Sequence, residues 1–203
     1  MVSRGLDAAS ERDTQMNNIL RGILMAAMVF ALTSAPAAAE LKPGAAAPTF
    51  DTKASLGGKI FDFDLKAALA KGPVVLYFYP AAFTEGCTIE AHDFAEHIGD
   101  YQKLGATVIG VSGDDIEKLN RFSVSECRSK FAVASDGDFA ISKSYDATLD
   151  AGAGRMFSNR TSYVISQDGK IVYSYTSMKP ELHVANTLEA LRKLQTQPVR
   201  SGY

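Results

Sequence analysis

The chain has no tryptophan, and only two cysteines and three histidines among its 203 residues. The missing tryptophan excludes little. The scarcity of the other two excludes more. Cys87 and Cys127 are too far apart in sequence for a C-x-x-C dithiol-exchange site. His92 and His97 stand at i, i+5 on what reads as one helix, so they diverge, unlike the i, i+4 pair of a helical zinc motif. His92 also lies roughly 140° round that helix from Cys87, which argues against a cysteine hydrolase using it as base. No block of Lys or Arg is long enough to track a phosphate backbone. The 21 basic residues face 23 acidic ones, for a formal net charge of -2. Nucleic acid is thereby excluded as an expected partner. Gly152-Ala-Gly154 has no Lys-Ser/Thr behind it, so it is read as a loop folding back before Arg160 rather than a phosphate loop. There are no internal repeats or low-complexity linkers. The reading needs no cofactor and no metal.

What is present begins with an N-terminal processing signal. Arg21 precedes an uncharged apolar run from Gly22 to Thr33, followed by Ser34-Ala-Pro-Ala-Ala-Ala39. A basic flank, a short apolar core and an A-x-A site at Ala37–Ala39 make a secretory signal peptide of residues 1–39. The run falls short of the about 20 apolar residues of a bilayer span, which argues against a retained anchor. The residues before Met16 are polar, which makes Met16 an alternative start. The expectation is an exported chain, periplasmic if bacterial, without stable membrane association after cleavage. Residues 40–203 then form one domain, and at 46% hydrophobic composition the chain can fill a core. Export permits disulfides. A passive Cys87–Cys127 bridge is the plain reading of two cysteines.

Leu41–Pro48 reads as an irregular lead-in, Lys59–Asp64 as a short edge strand, and Leu65–Lys71 as a brief helix. Pro73–Tyr79 is apolar, β-branched and aromatic until Pro80, as in a strand buried on both faces. Glu85–Tyr101 reads as a helix with Phe94, Ile98 and Tyr101 on one stripe. Thr107–Ser112 is a second buried strand, and Ser112-Gly-Asp-Asp115 fits a capping box. The helix after it carries Ile116, Leu119 and Phe122 inward and runs toward Cys127. Phe131–Ala134 reads as a strand and Phe139–Tyr145 as a short helix. Thr161–Ser166 and Lys170–Tyr175 flank Asp168-Gly169, a hairpin signal. The last helix spans Glu181 to Leu194. A βαβ unit joined to a ββα unit makes an α/β protein with a mixed central sheet and helices on both faces, the arrangement of the thioredoxin fold.

Cys87 falls where a buried strand turns into a helix. A cysteine in the first turn faces the positive end of the helix dipole and unpaired N–H groups, which favour a thiolate. Thr84 places a hydroxyl near the sulfur. Pro80-x-x-x-Thr84-x-x-Cys87 after an aromatic-rich strand resembles the active-site signature of the peroxiredoxins. Tyr77-Phe-Tyr-Pro80 and Gly86-Cys-Thr88 bring it nearest the bacterioferritin-comigratory, or Q-type, branch, over most of the chain from Leu41 to Leu194. The resemblance implies that Cys87 is the peroxidatic cysteine, attacking a hydroperoxide and becoming a sulfenic acid. It implies that Thr84 binds the peroxide, that Pro80 shields the sulfur, that Arg160 stabilises the developing charge, and that Glu90 orients Arg160.

There is one departure. Many Q-type members carry a resolving cysteine at the position that is His92 here. Some use a cysteine on the following helix instead, which leaves Cys127 as the resolving residue implied by the resemblance. A one-cysteine cycle is the other possibility. The resemblance also implies a thioredoxin- or glutaredoxin-like thiol reductant, and a monomer or weak dimer. The alternative from another class is an exported, non-enzymatic binding domain with a structural Cys87–Cys127 disulfide. It does not explain Pro80, Thr84 and Arg160 together.

Overall fold

A computed structural model of the chain describes residues 40–196. The expected signal peptide, residues 1–39, lies outside them. Alternating and continuous apolar runs build a seven-stranded sheet from β1 (Asp51–Leu56), β2 (Lys59–Asp64), β3 (Val74–Phe78), β4 (Thr107–Ser112), β5 (Ala132–Ser135), β8 (Thr161–Ile165) and β9 (Ile171–Thr176). Their order is β2-β1-β5-β4-β3-β8-β9. β3, β4 and β5 are parallel, and the hairpins β1–β2 and β8–β9 extend the sheet antiparallel on either side. A separate small hairpin joins β6 (Thr148–Asp150) and β7 (Met156–Ser158).

β3 lies inside the sheet between β4 and β8 and is buried along its whole length. Its side chains alternate between two cores, as the pleat requires. Val75 and Tyr77 face one core with Phe94, Tyr101, Leu119, Phe122 and Leu188. These come from α2 (Glu85–Lys103), α3 (Ile116–Ser125) and α5 (His183–Thr196). Val74, Leu76 and Phe78 face the other core with Leu65, Leu69 and Tyr145. That side holds α1 (Leu65–Leu69), α4 (Ala140–Ser144) and part of the lead-in segment. The mixed sheet with helices on both faces is therefore observed. Gly110 of β4 is required by this packing, because a Cβ there would lie 2.6 Å from the Tyr77 ring.

Two local expectations are corrected, and the loop that folds back before Arg160 proves to carry a short strand pair. The cap of α3 is Asp115, which accepts from Lys118 N at 2.7 Å, and not Ser112. Ser112 instead donates its hydroxyl to Asp114 at 2.9 Å. The segment around Gly152-Ala-Gly154 is the turn of the β6–β7 hairpin, whose two strands are too short to show a period. The last helix opens with a 3-10 turn, Pro180–Leu182, before α5 proper.

Candidate active site

The site forms where β3 ends and α2 begins. Asp114 holds the intervening loop, accepting from Ala82 N at 2.7 Å while Lys118 Nζ lies 2.6 Å from its other oxygen. Phe83 takes a left-handed conformation, φ 67°, with its ring edge-on to Phe122 at 5.2 Å. Thr84 then caps α2 by position, without a capping side-chain bond. Cys87 follows within the first turn and is 1% exposed. Its sulfur lies at the end of the helix where unpaired N–H groups and the dipole favour negative charge.

Arg160 arrives from the segment before β8 and is 3% exposed. All three of its nitrogens are used. Nη2 donates to Cys87 Sγ at 3.3 Å, Nη1 donates to Glu90 Oε2, and Nε donates to Met178 O at 3.1 Å. Glu90 lies one helical turn beyond Cys87 on the same face, as i, i+3 spacing dictates. Burial pulls the Arg160 pKa down, but Glu90 and then Cys87 outweigh it, so the guanidinium stays charged. Burial pushes the Glu90 carboxyl up to about 8, against the pull of Arg160. Gly86 leaves the guanidinium room, since a Cβ there would stand 3.1 Å from Nη2.

The predicted residues come together with one difference. Cys87, Arg160 and Glu90 form a continuous buried chain of contacts. Pro80 is half-buried on the same loop. Thr84 is exposed, and its hydroxyl donates to Ala81 O at 2.9 Å instead of bonding the sulfur. Cys127 lies just past the end of α3, fully buried in the same core cluster as Cys87. Burial, and secondarily Glu126, push its thiol up. Both cysteines are free.

His183 belongs to none of the sequence motifs, yet it is fully buried behind the site. Its Nδ1 lies 2.8 Å from Ser162 Oγ and 3.6 Å from Glu90 Oε1, and its Nε2 lies 2.9 Å from Ser177 O. No local pattern signals this, because the contacts join α2, β8 and α5.

Residues 43–174 match the family described as AhpC/TSA. The chain belongs to that family. It is 32% identical over 183 residues to the chloroplastic peroxiredoxin Q of Triticum aestivum, covering 85% of this chain and 81% of the relative. Among solved structures it is similar to peroxidoxin BcpB from Mycobacterium tuberculosis, with TM-score 0.69 and 28% identity over 76% of this chain and 98% of that one. It is also similar to the bacterioferritin comigratory protein of Xanthomonas campestris, with TM-score 0.66 and 29% identity over 75% and 99% of the two chains. The peroxiredoxin fold and a thiol-dependent peroxidase activity, with a hydroperoxide substrate and a thiol reductant, follow from this membership. The reading as a passive disulfide-bearing binding domain is set aside.

Proposed function

We propose that Cys87 is the peroxidatic nucleophile of this peroxiredoxin and Cys127 its resolving partner. The observation that carries the first half is the 3.3 Å contact from Arg160 Nη2 to Cys87 Sγ, with Glu90 gripping the neighbouring nitrogen. The Cys87 thiolate attacks the terminal oxygen of a hydroperoxide and breaks the O–O bond. Cys87 becomes a sulfenic acid, and the departing oxygen takes a proton and leaves as water or an alcohol. Arg160 stabilises the charge that moves from sulfur to the leaving oxygen. Thr84 accepts a hydrogen bond from the peroxide, its own proton being engaged by Ala81 O. Pro80 shields the sulfur. Hydrogen peroxide and organic hydroperoxides both fit this chemistry, and the similar Xanthomonas campestris protein has alkyl peroxide reduction activity.

Cys127 then attacks the sulfenic sulfur, forming an intramolecular disulfide and releasing water. This requires movement, because a buried thiol is a poor nucleophile. A thioredoxin- or glutaredoxin-like dithiol restores the reduced enzyme. The chain acts after export, in the periplasm if bacterial, as a monomer or weak dimer. The signal-peptide pattern supports the first of these and the Q-type resemblance the second.

Peroxide consumption by wild type, Cys87→Ser and Cys127→Ser tests the assignment, with dithiothreitol and with a protein dithiol as reductant. Cys87→Ser is expected to be inactive with both. Cys127→Ser is expected to keep activity with dithiothreitol and lose it with the protein dithiol. Full activity of Cys87→Ser refutes the nucleophile. Absence of a Cys87–Cys127 link in the mass of the oxidised monomer refutes the resolving step and leaves a one-cysteine cycle.

A further inference from the structure

We propose that His183 is a positioning residue, holding the loop that sets the Arg160 guanidinium against Cys87. The inference rests on the role assigned to Arg160 above. Arg160 is gripped twice by the segment after β9. Ser177 N donates to Arg160 O at 3.1 Å, and Met178 O accepts from Arg160 Nε at 3.1 Å. That segment is exposed on its outer side, where Met178 is 53% accessible. Its inward anchor is His183, whose Nε2 meets Ser177 O at 2.9 Å.

The tautomer follows from the partners. A carbonyl oxygen only accepts, so Nε2 carries the proton and donates it to Ser177 O. Nδ1 is then bare, and the Ser162 hydroxyl at 2.8 Å donates to it. Both ring nitrogens are satisfied, and the imidazole cannot turn without losing two buried hydrogen bonds. Tyr175 packs edge-on to the ring at 4.8 Å and limits it further. Through β8 and α5 the clamp is tied to the core, so the loop and the guanidinium inherit a fixed position.

The groups that face the imidazole fit an uncharged clamp. Arg160 disfavours a second positive charge, Glu181 in the 3-10 turn before α5 favours one weakly, and Glu90 Oε1 lies 3.6 Å away. Burial dominates and pulls the His183 pKa down to about 4. At neutral pH the ring acts through hydrogen bonds alone. Glu90 Oε1 has no hydrogen-bond partner among the described residues, so His183 does not work by bonding the carboxylate.

The test compares His183→Gln, His183→Asn and His183→Leu. The rate of Cys87 oxidation by hydrogen peroxide is followed across a pH series, and thermal unfolding is measured alongside. A glutamine amide reaches the Ser177 carbonyl, whereas an asparagine amide reaches only toward Ser162. Glutamine is expected to react near the wild-type rate. Asparagine and leucine are expected to be about tenfold slower at neutral pH, the factor carried by losing the alignment of the charge-assisted Arg160–Cys87 hydrogen bond. Their pH–rate profiles should move to higher pH. If asparagine and glutamine react alike, or the profiles stay in place while only the unfolding temperature falls, His183 is merely structural and the inference is overturned. Should leucine fail to fold, the Gln–Asn pair decides alone. Arg160→Lys is run in parallel. A wild-type rate for that variant defeats the reading of Arg160 itself, whereas a slow Arg160→Lys with normal His183 variants defeats only the clamp.

Discussion

Gly86 is the second residue of α2, in its first turn, where glycine costs backbone entropy but less than it would in a helix interior. Here the added Cβ would meet Arg160 Nη2 at 3.1 Å, tighter than ordinary van der Waals contact. The guanidinium cannot yield easily, because Glu90, Met178 and Cys87 each hold one of its nitrogens. Gly86→Ala should therefore separate stability from activity. The variant is expected to unfold at a temperature close to that of wild type, the helical gain being offset by the contact with Nη2. Its second-order rate with hydrogen peroxide should fall by about threefold to tenfold, as for other small displacements of an aligned catalytic group. Calorimetry and stopped-flow kinetics on the same preparation check both halves. A variant as fast as wild type would mean that the 3.1 Å approach carries no positional information.

The turn after α3 must let go if Cys127 is to reach Cys87, and two opposing features act on it. Arg128 and Ser129, immediately after the cysteine, both have positive φ, at 51° and 57°. Left-handed backbone costs about 1–2 kcal/mol per non-glycine residue, so unwinding relieves strain. Two cross-ties from α2 oppose it. His92 Nε2 lies 2.9 Å from Glu126 Oε2, and Arg128 Nη1 lies 3.1 Å from Glu96 Oε1. They flank Cys127 on either side in sequence. His92 thus helps to steady the segment that bears Cys127. Partly exposed pairs of this kind contribute about 0.2–1 kcal/mol each. His92→Ala with Glu96→Ala removes both ties and should speed disulfide formation by about twofold to thirtyfold, leaving the initial oxidation of Cys87 unchanged. Rapid-quench mass spectrometry resolves the two steps. An unchanged or slower disulfide step would show that the ties do not govern the release.

Across the whole molecule, what could be read in advance follows the range of the interactions. β3 and β4 were legible because strands buried on both faces are continuous apolar runs, and α2 because its stripe repeats at helical spacing. The β6–β7 hairpin was not, being three residues per strand and mostly exposed. Cys87 was legible from its local turn, Arg160 and Glu90 only through family resemblance, and His183 not at all, since its surroundings exist only after the sheet and α5 have packed. That late-assembled cluster gives the molecule a definite acid response. The unfolded chain protonates His183 near 6.5, whereas the folded chain holds it neutral down to about 4. The stability due to this group is complete above pH 6.5 and is lost as pH falls toward 4, at about 1.4 kcal/mol per pH unit. Glu90 acts in the opposite sense. Its folded value of about 8 lies above the ordinary 4.5, so its contribution is complete below 4.5 and is lost as pH rises through 8. Between about pH 6.5 and 4.5 the contributions of these two groups run in opposite directions. His183→Gln removes one of them. Relative to wild type, that variant should gain roughly 3 kcal/mol on going from pH 7 to pH 4, whatever its offset at pH 7. Urea unfolding of both proteins at pH 7, 5.5 and 4 measures the difference directly. Parallel stability curves would mean that His183 takes up its proton as readily in the folded core as in the unfolded chain.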